Sequence, residues 1–211
     1  MRNLALTALL LGSGSVAFGF GTIGPFVGSV DEDFESFNTY NINPYSSGTF
    51  FSGLATFTST TNGDVLWVID DGTNAGWGLG GNGSAQIHGG LQAGGLFNND
   101  NTQALEIVFS TPVSRFGGYF ATVDEAFPDA PLRFEFYDTS NSLIGTFLMY
   151  TTSSDYVWAG WDHAPGISRI VMMNNLAPVM DDLQTDLVPE PASMTALGLG
   201  LLALLRKRRK A

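Results

Sequence analysis

Short segments with the two-residue alternation of a β-strand recur along this chain, and they restrict the fold more than any other feature. The clearest is LRFEFYD, where Leu132, Phe134 and Phe136 point to one side and the residues between them to the other. Gly, Asn, Asp and Pro residues separate such segments, and none has a helical period. The pattern predicts an all-β domain, an antiparallel β-sandwich of jelly-roll type.

The predicted strands are rich in aromatic and β-branched residues. They span residues 49–57, 65–69, 104–109, 116–123, 132–137, 143–150, 156–161 and 167–173. Residues 71–95 differ from the rest because they contain ten Gly, which lose much entropy on ordering and offer no side chains to a core. That segment predicts a long loop or a pair of loosely paired strands.

Charge is distributed unevenly. The chain has 20 Asp and Glu but only 9 Lys and Arg. Five of these basic residues form a cluster just before Ala211: Arg206, Lys207, Arg208, Arg209 and Lys210. Residues 18–188 have 3 Arg and 19 acidic residues, a formal charge of −16. So acidic a body repels nucleic acid. The absence of Cys excludes disulfides, thiolate metal sites and Cys nucleophiles.

The first residues have the layout of a secretory signal peptide. Arg2 precedes an apolar run at residues 4–11, and small residues follow, including Ser15 and Ala17. We expect a signal helix over residues 1–17 with cleavage after Ala17, or after Gly19 as the second choice. The expected partners of this segment are the secretion machinery and signal peptidase, and the body is expected to be exported.

The last residues combine three features in a fixed order. Pro189, Glu190 and Pro191 form an extended segment that cannot join a sheet ladder. The 14 uncharged residues 192–205 follow; as a helix they span roughly 21 Å, against about 30 Å of hydrocarbon. We expect a short transmembrane helix whose basic flank stays on the cytoplasmic side, so that the precursor is anchored in the inner membrane with its body in the periplasm.

This order of motif, apolar segment and terminal basic cluster resembles the PEP-CTERM sorting signal of Gram-negative bacteria, also catalogued as the ice-binding protein C-terminal domain. The resemblance implies that an exosortase recognises Pro189, Glu190 and Pro191 and cuts near them. It also implies sorting to the cell envelope or release into an exopolysaccharide and biofilm matrix. The predicted organisation is a signal peptide (1–17), an exported sandwich (18–188) and a sorting tail (189–211).

The order of strands and turns from residue 109 to 186 is also similar to the jelly-roll ectodomains that often precede such tails. This similarity is one of rhythm and turn residues. It implies the sandwich fold and no particular ligand.

Candidate ligand-binding residues are few. If the first and last strands of the body pair, Asp31 approaches Asp181 and Asp182, and these oxygens form a candidate structural Ca²⁺ site. No other cofactor is expected, because two histidines are too few for a His-based metal site or a conventional triad. Trp77, between two Gly residues, is the candidate exposed aromatic for stacking on a sugar ring.

Three functions remain open from the sequence. The first is a non-enzymatic envelope or matrix protein that is sorted by its tail. The second is a carbohydrate-binding module that holds exopolysaccharide, and the third is a secreted glycoside hydrolase that uses two carboxylates. No sequence feature selects a carboxylate pair, so we expect the body not to be an enzyme.

Overall fold

The computed structural model describes residues 19–34, 43–45, 47–59, 64–70, 85–92, 104–122, 131–150, 156–173 and 178–188. Within these ranges the chain forms twelve β-strands and one short 3-10 turn, Phe51–Gly53. The strands are β1 Gly21–Ile23, β2 Val30–Glu32, β3 Asn43–Tyr45, β4 Ser47–Phe50, β5 Ala55–Ser59, β6 Asp64–Asp70, β7 Ala85–Gln92, β8 Ala104–Thr122, β9 Leu132–Tyr137, β10 Leu143–Met149, β11 Val157–Met173 and β12 Pro178–Leu187.

Two long strands, β8 and β11, run through the centre of the sheet and pair with each other along most of their length. Residues 104–109 of β8 and 167–173 of β11 lie in one half of the sheet, in the order β10, β9, β11, β8, β5, β4. The remaining parts of both strands lie in the other half, between β1 and β12. Strand β12 continues that half to β2 and to the series β7, β6, β3.

The two halves meet where the register of β8 and β11 breaks, between Asp162 and Ile167. Pro112 stands in β8 at this point, where it has no amide hydrogen to donate to a ladder. Gly166 stands opposite in β11 with a φ of +114°, a conformation that L side chains rarely adopt. We call this region the bend.

The core lies between the two halves and is rich in aromatic side chains. Trp161 of β11 is fully buried, and its ring centroid lies 4.7 Å from that of Phe134 and 4.8 Å from that of Phe136, both on β9. Phe116 of β8 stacks on Trp161 from its own half, and Phe147 of β10 meets the same ring from across the core. Each buried Phe contributes about 1.5–3 kcal/mol through removal of its apolar surface from water.

The prediction of an all-β, antiparallel body is confirmed, because every strand pairing in the described ranges is antiparallel. Jelly-roll connectivity stays a prediction. None of the described residues forms a helix long and apolar enough to cross a membrane. The predicted signal helix and C-terminal transmembrane helix both lie outside the described ranges.

The strand boundaries differ from the prediction in two ways. Residues 49–57 form two strands rather than one, because Phe51, Ser52 and Gly53 have positive φ and turn the chain between β4 and β5. In contrast, the two predicted strands of residues 104–123 are one continuous strand, and so are those of residues 156–173. Strand β7 lies inside the Gly-rich segment.

We predict that Gly166→Ala destabilises the domain by about 1–3 kcal/mol, because Ala is strained at this φ. A Cβ there would also stand 2.8 Å from Cβ of Pro112 and 2.9 Å from Cγ2 of Val188. The measurement is the free energy of unfolding by urea titration. Gly24→Ala is the control, since no heavy atom lies within 4 Å of its added Cβ. Equal stability of the two variants would contradict this account of the bend.

Candidate functional site

The folded body extends to the residue directly before the Pro-Glu-Pro motif. Strand β12 ends at Leu187, and the Val188 amide donates a hydrogen bond to the Pro112 carbonyl at 3.2 Å. The Ser114 hydroxyl donates to the Leu187 carbonyl at 3.1 Å. Pro189 therefore follows the last anchored residue with no intervening linker.

Val188 leaves the body at the bend. Its side chain lies against Gly166, and Gly166 in turn lies against Pro112, so the exit point and the bend are one packed unit. We call the residues 110–112, 164–166 and 187–188 the exit surface. Thr111, Ala164, Pro165 and Leu187 are exposed there, and the eight residues are all uncharged. No local sequence signal points to Pro112 and Gly166, because their contact with Val188 joins residues far apart in the chain.

The carboxylate nearest to the exit surface along β12 is Asp186, and it is paired. It forms an ion pair with Arg115 and accepts a hydrogen bond from the Ser29 amide at 2.7 Å. Burial alone would raise the pKa of Asp186, but the hydrogen bonds from Ser29 and the Arg115 charge outweigh it and hold that pKa below its ordinary value. Asp186 is therefore a stable anion that fixes β12 to β8 and to the chain before β2.

The other two Arg residues of the body are also paired with carboxylates. They lie on the outer face of the half of the sheet that contains β9 and β10. Arg133 pairs with Glu135, and Arg169 pairs with Glu106 at 2.8 Å while lying 3.9 Å above the Tyr137 ring. A hydrogen bond to Glu135, burial and the Glu135 charge raise the pKa of Tyr137. Each of the three Arg side chains of the body is thus paired with a carboxylate within the fold.

The chain before β2 crosses the outer face of the half of the sheet that contains β1 and β12. After β1 has paired with β11, the Phe26 ring lies 4.7 Å from the Arg115 guanidinium and 5.9 Å from the Trp158 ring. The Gly28 amide then donates to Oε1 of Gln184 at 2.9 Å. A Cβ at Gly28 would stand 2.6 Å from the Thr185 backbone, so only Gly permits this approach.

The predicted signal cleavage site, Ser15 and Ala17, lies outside the described residues. Phe20, a few residues later, already packs on Phe136 of the core with 4.7 Å between ring centroids. A mature chain that begins at residue 18 retains this contact, and so does one that begins at residue 20.

The candidate calcium residues stand on strands that do pair. Strand β2 runs antiparallel to β12, with Asp31 opposite Gln184, as the prediction required. Asp31 is exposed, however, whereas Asp181 is buried and its carboxylate accepts the Asp182 amide at 2.8 Å. In the described part of the chain no group of three or more His, Asp or Glu side chains is arranged to hold a metal ion. Calcium binding stays a prediction.

The tryptophans have different roles. Trp77, the candidate sugar-stacking residue, lies outside the described ranges. Trp161 is a core residue, while Trp158 lies on the outer face, where its ring meets Phe26 and Tyr119 edge to face. Trp158 therefore joins the chain before β2 to the sheet.

His163 is buried beside the bend. Burial lowers its pKa below 6.5, and the nearby Asp138 and Asp162 oppose that shift only in part. Within the described structure its Nδ1 atom is buried without a hydrogen-bond partner. Protonation therefore disfavours the folded state.

We predict that the body loses stability as pH falls below 6.5, the ordinary pKa of His163. The unfolded state binds the proton first, so the free energy of unfolding decreases until pH drops below the folded-state pKa and then levels off. His163→Gln should remove this step from urea titrations at successive pH values, whereas His88→Gln should keep it. An unchanged step in His163→Gln would contradict the prediction.

Comparison with known proteins identifies the tail. Residues 187–210 match the family model described as the PEP-CTERM protein-sorting motif, which confirms the resemblance seen in the sequence. The match includes Pro189, Glu190, Pro191 and the basic cluster, which lie outside the described structure. Its first two residues, Leu187 and Val188, are the end of β12 and the residue anchored to Pro112. No curated protein matches the chain.

Several solved structures align with most of the chain at low sequence identity. One is the K2 cleaved adhesin domain of Lys-gingipain, with 13% identity, a TM-score of 0.48, and coverage of 74% of this chain and 97% of that one. A second is CsCBM6-3 from Clostridium stercorarium in complex with cellobiose, with 13% identity, a TM-score of 0.37, and coverage of 78% and 98%. A third is CBM29_1, a family 29 carbohydrate-binding module from Piromyces equi, with 11% identity, a TM-score of 0.37, and coverage of 74% and 97%.

Proposed function

We propose that this protein is an exported, non-enzymatic β-sandwich of jelly-roll type that is held at the inner membrane as a precursor and cut by an exosortase. The supporting observation is the position of the sorting motif. The family match at residues 187–210 begins on the last residues of the body, so the whole tail is available for recognition as soon as the body has folded. The mature body then belongs to the cell envelope or the extracellular matrix.

The two parts of the tail have separate tasks in this proposal. The basic cluster sets topology, because each Lys or Arg costs about 2.5–3.5 kcal/mol at the centre of a membrane helix and five of them oppose complete translocation. The Pro-Glu-Pro segment sets recognition. Its two prolines restrict the backbone before the enzyme binds, so less conformational entropy is lost on binding.

The body contributes solubility and a stable end to the tail. With 3 Arg and 19 acidic residues between positions 18 and 188, it repels other acidic molecules and stays dispersed outside the cell. Binding of exopolysaccharide by the body stays a prediction from the sequence, since Trp77 lies outside the described ranges and Trp158 packs within the fold.

We predict that two sets of substitutions in the tail give different products in a host that has an exosortase. Replacing residues 206–210 with Ser should let the tail pass through the membrane, which releases uncut protein outside. Replacing Pro189, Glu190 and Pro191 with Ala should leave an uncut precursor in the membrane. Fractionation followed by intact mass separates the two outcomes.

The control for both variants is Asn82→Ala, since Asn82 lies far along the sequence from the tail. It should give the same cleaved species as the natural sequence. If both tail variants also accumulate that cleaved species, cleavage depends on neither the Pro-Glu-Pro motif nor the basic cluster, and the proposed processing is wrong.

A further inference from the structure

We propose that the exit surface is the side of the body that faces the bilayer in the membrane-held precursor, in contact with the lipid headgroups. This inference rests on the proposed function, because it requires the tail to be in the membrane. It assigns an orientation to the body and a lipid partner to one of its surfaces.

Only a short length of chain connects the body to the membrane segment of the tail. Val188 is fixed to Pro112 by a hydrogen bond and packs against Gly166, so it moves away from the bend only when both contacts are lost. The uncharged run begins at Ala192, four residues later. Four residues span at most about 14 Å when fully extended. The bend is therefore held within that distance of the point where the tail enters the membrane.

This short connection also determines which end of β11 lies nearer to the membrane. Val157 and Ala164 are exposed residues of the same strand, separated by seven residues, or about 23 Å of extended chain. Ala164 belongs to the exit surface, whereas Val157 begins the strand at the end away from the bend. A body tethered at Val188 therefore presents Ala164 to the membrane and Val157 away from it.

The exit surface also differs from the acidic body in its lack of charge. Anionic headgroups repel a body of formal charge −16, with a range of about 10 Å at moderate salt. The exit surface has no charged residue, and the adjacent Asp186 is neutralised by Arg115. Asp138, in the turn that packs on Ser168 beyond the bend, accepts hydrogen bonds from the Ser140 and Ser142 amides. The eight residues of the exit surface therefore add no repulsion of their own, and Asp138 and Asp162, which act on His163 beside the bend, are carboxylates that lie near it.

The absence of Cys from the chain permits a direct test. The full-length precursor is prepared as Ala164→Cys and, separately, as Val157→Cys, and each is labelled with the same fluorophore. Both are reconstituted into vesicles of phosphatidylethanolamine and phosphatidylglycerol that contain a headgroup-attached, short-range quencher. Flotation on a density gradient establishes for each sample that the precursor is in the membrane.

We expect the label at residue 164 to lose most of its emission and the label at residue 157 to keep it. Equal quenching at both positions in floated precursor, or stronger quenching at 157, would overturn the inference while leaving the proposed membrane tether intact. Precursor that does not float with the vesicles would overturn both. The two failures are therefore distinguishable.

A linker variant provides the matched control. Twenty Gly and Ser residues between Val188 and Pro189 separate the body from the tail by about 25 Å on average while leaving both unchanged. Quenching at residue 164 should then fall to the level seen at residue 157. Strong quenching that persists at residue 164 would overturn the inference that the short connection to the tail holds the exit surface against the headgroups.

Discussion

The bend shared by β8 and β11 is the constraint on which the rest of the structure depends. Because both strands continue through it, the same two strands contribute residues to both halves of the sheet, and the halves close on one another. Trp161 from one half thereby meets Phe134, Phe136 and Phe147 from the other. The positive φ of Gly166 and the missing amide hydrogen of Pro112 allow the change of direction.

The same bend connects the fold to its proposed function. Val188 is anchored there, so the residue directly before the sorting motif is held by contacts of the body. Ion pairs stabilise the surrounding strands, since Arg115 ties Asp186 of β12 to β8. The residue from which the tail continues therefore has a defined position on the body.

Some of this structure could be predicted from the sequence, and the reasons differ between elements. Strand β9 was predicted with its observed bounds, because alternation in LRFEFYD is a local signal. The predicted strands leave gaps at Pro112 and at Pro165-Gly166, whereas the ladder resumes beyond them through partners distant in sequence. The sorting motif was recognisable because it is linear. The contact of Val188 with Pro112 and Gly166 was not, because only tertiary structure brings those residues together.

The most direct test of the account is the intact mass of the protein recovered from the envelope and the medium of a host that has an exosortase. The account predicts a species that begins after the signal peptide and ends near Pro189, Glu190 and Pro191, without the apolar run and the basic cluster. Recovery of only full-length chains that still end in residues 206–210 would contradict it.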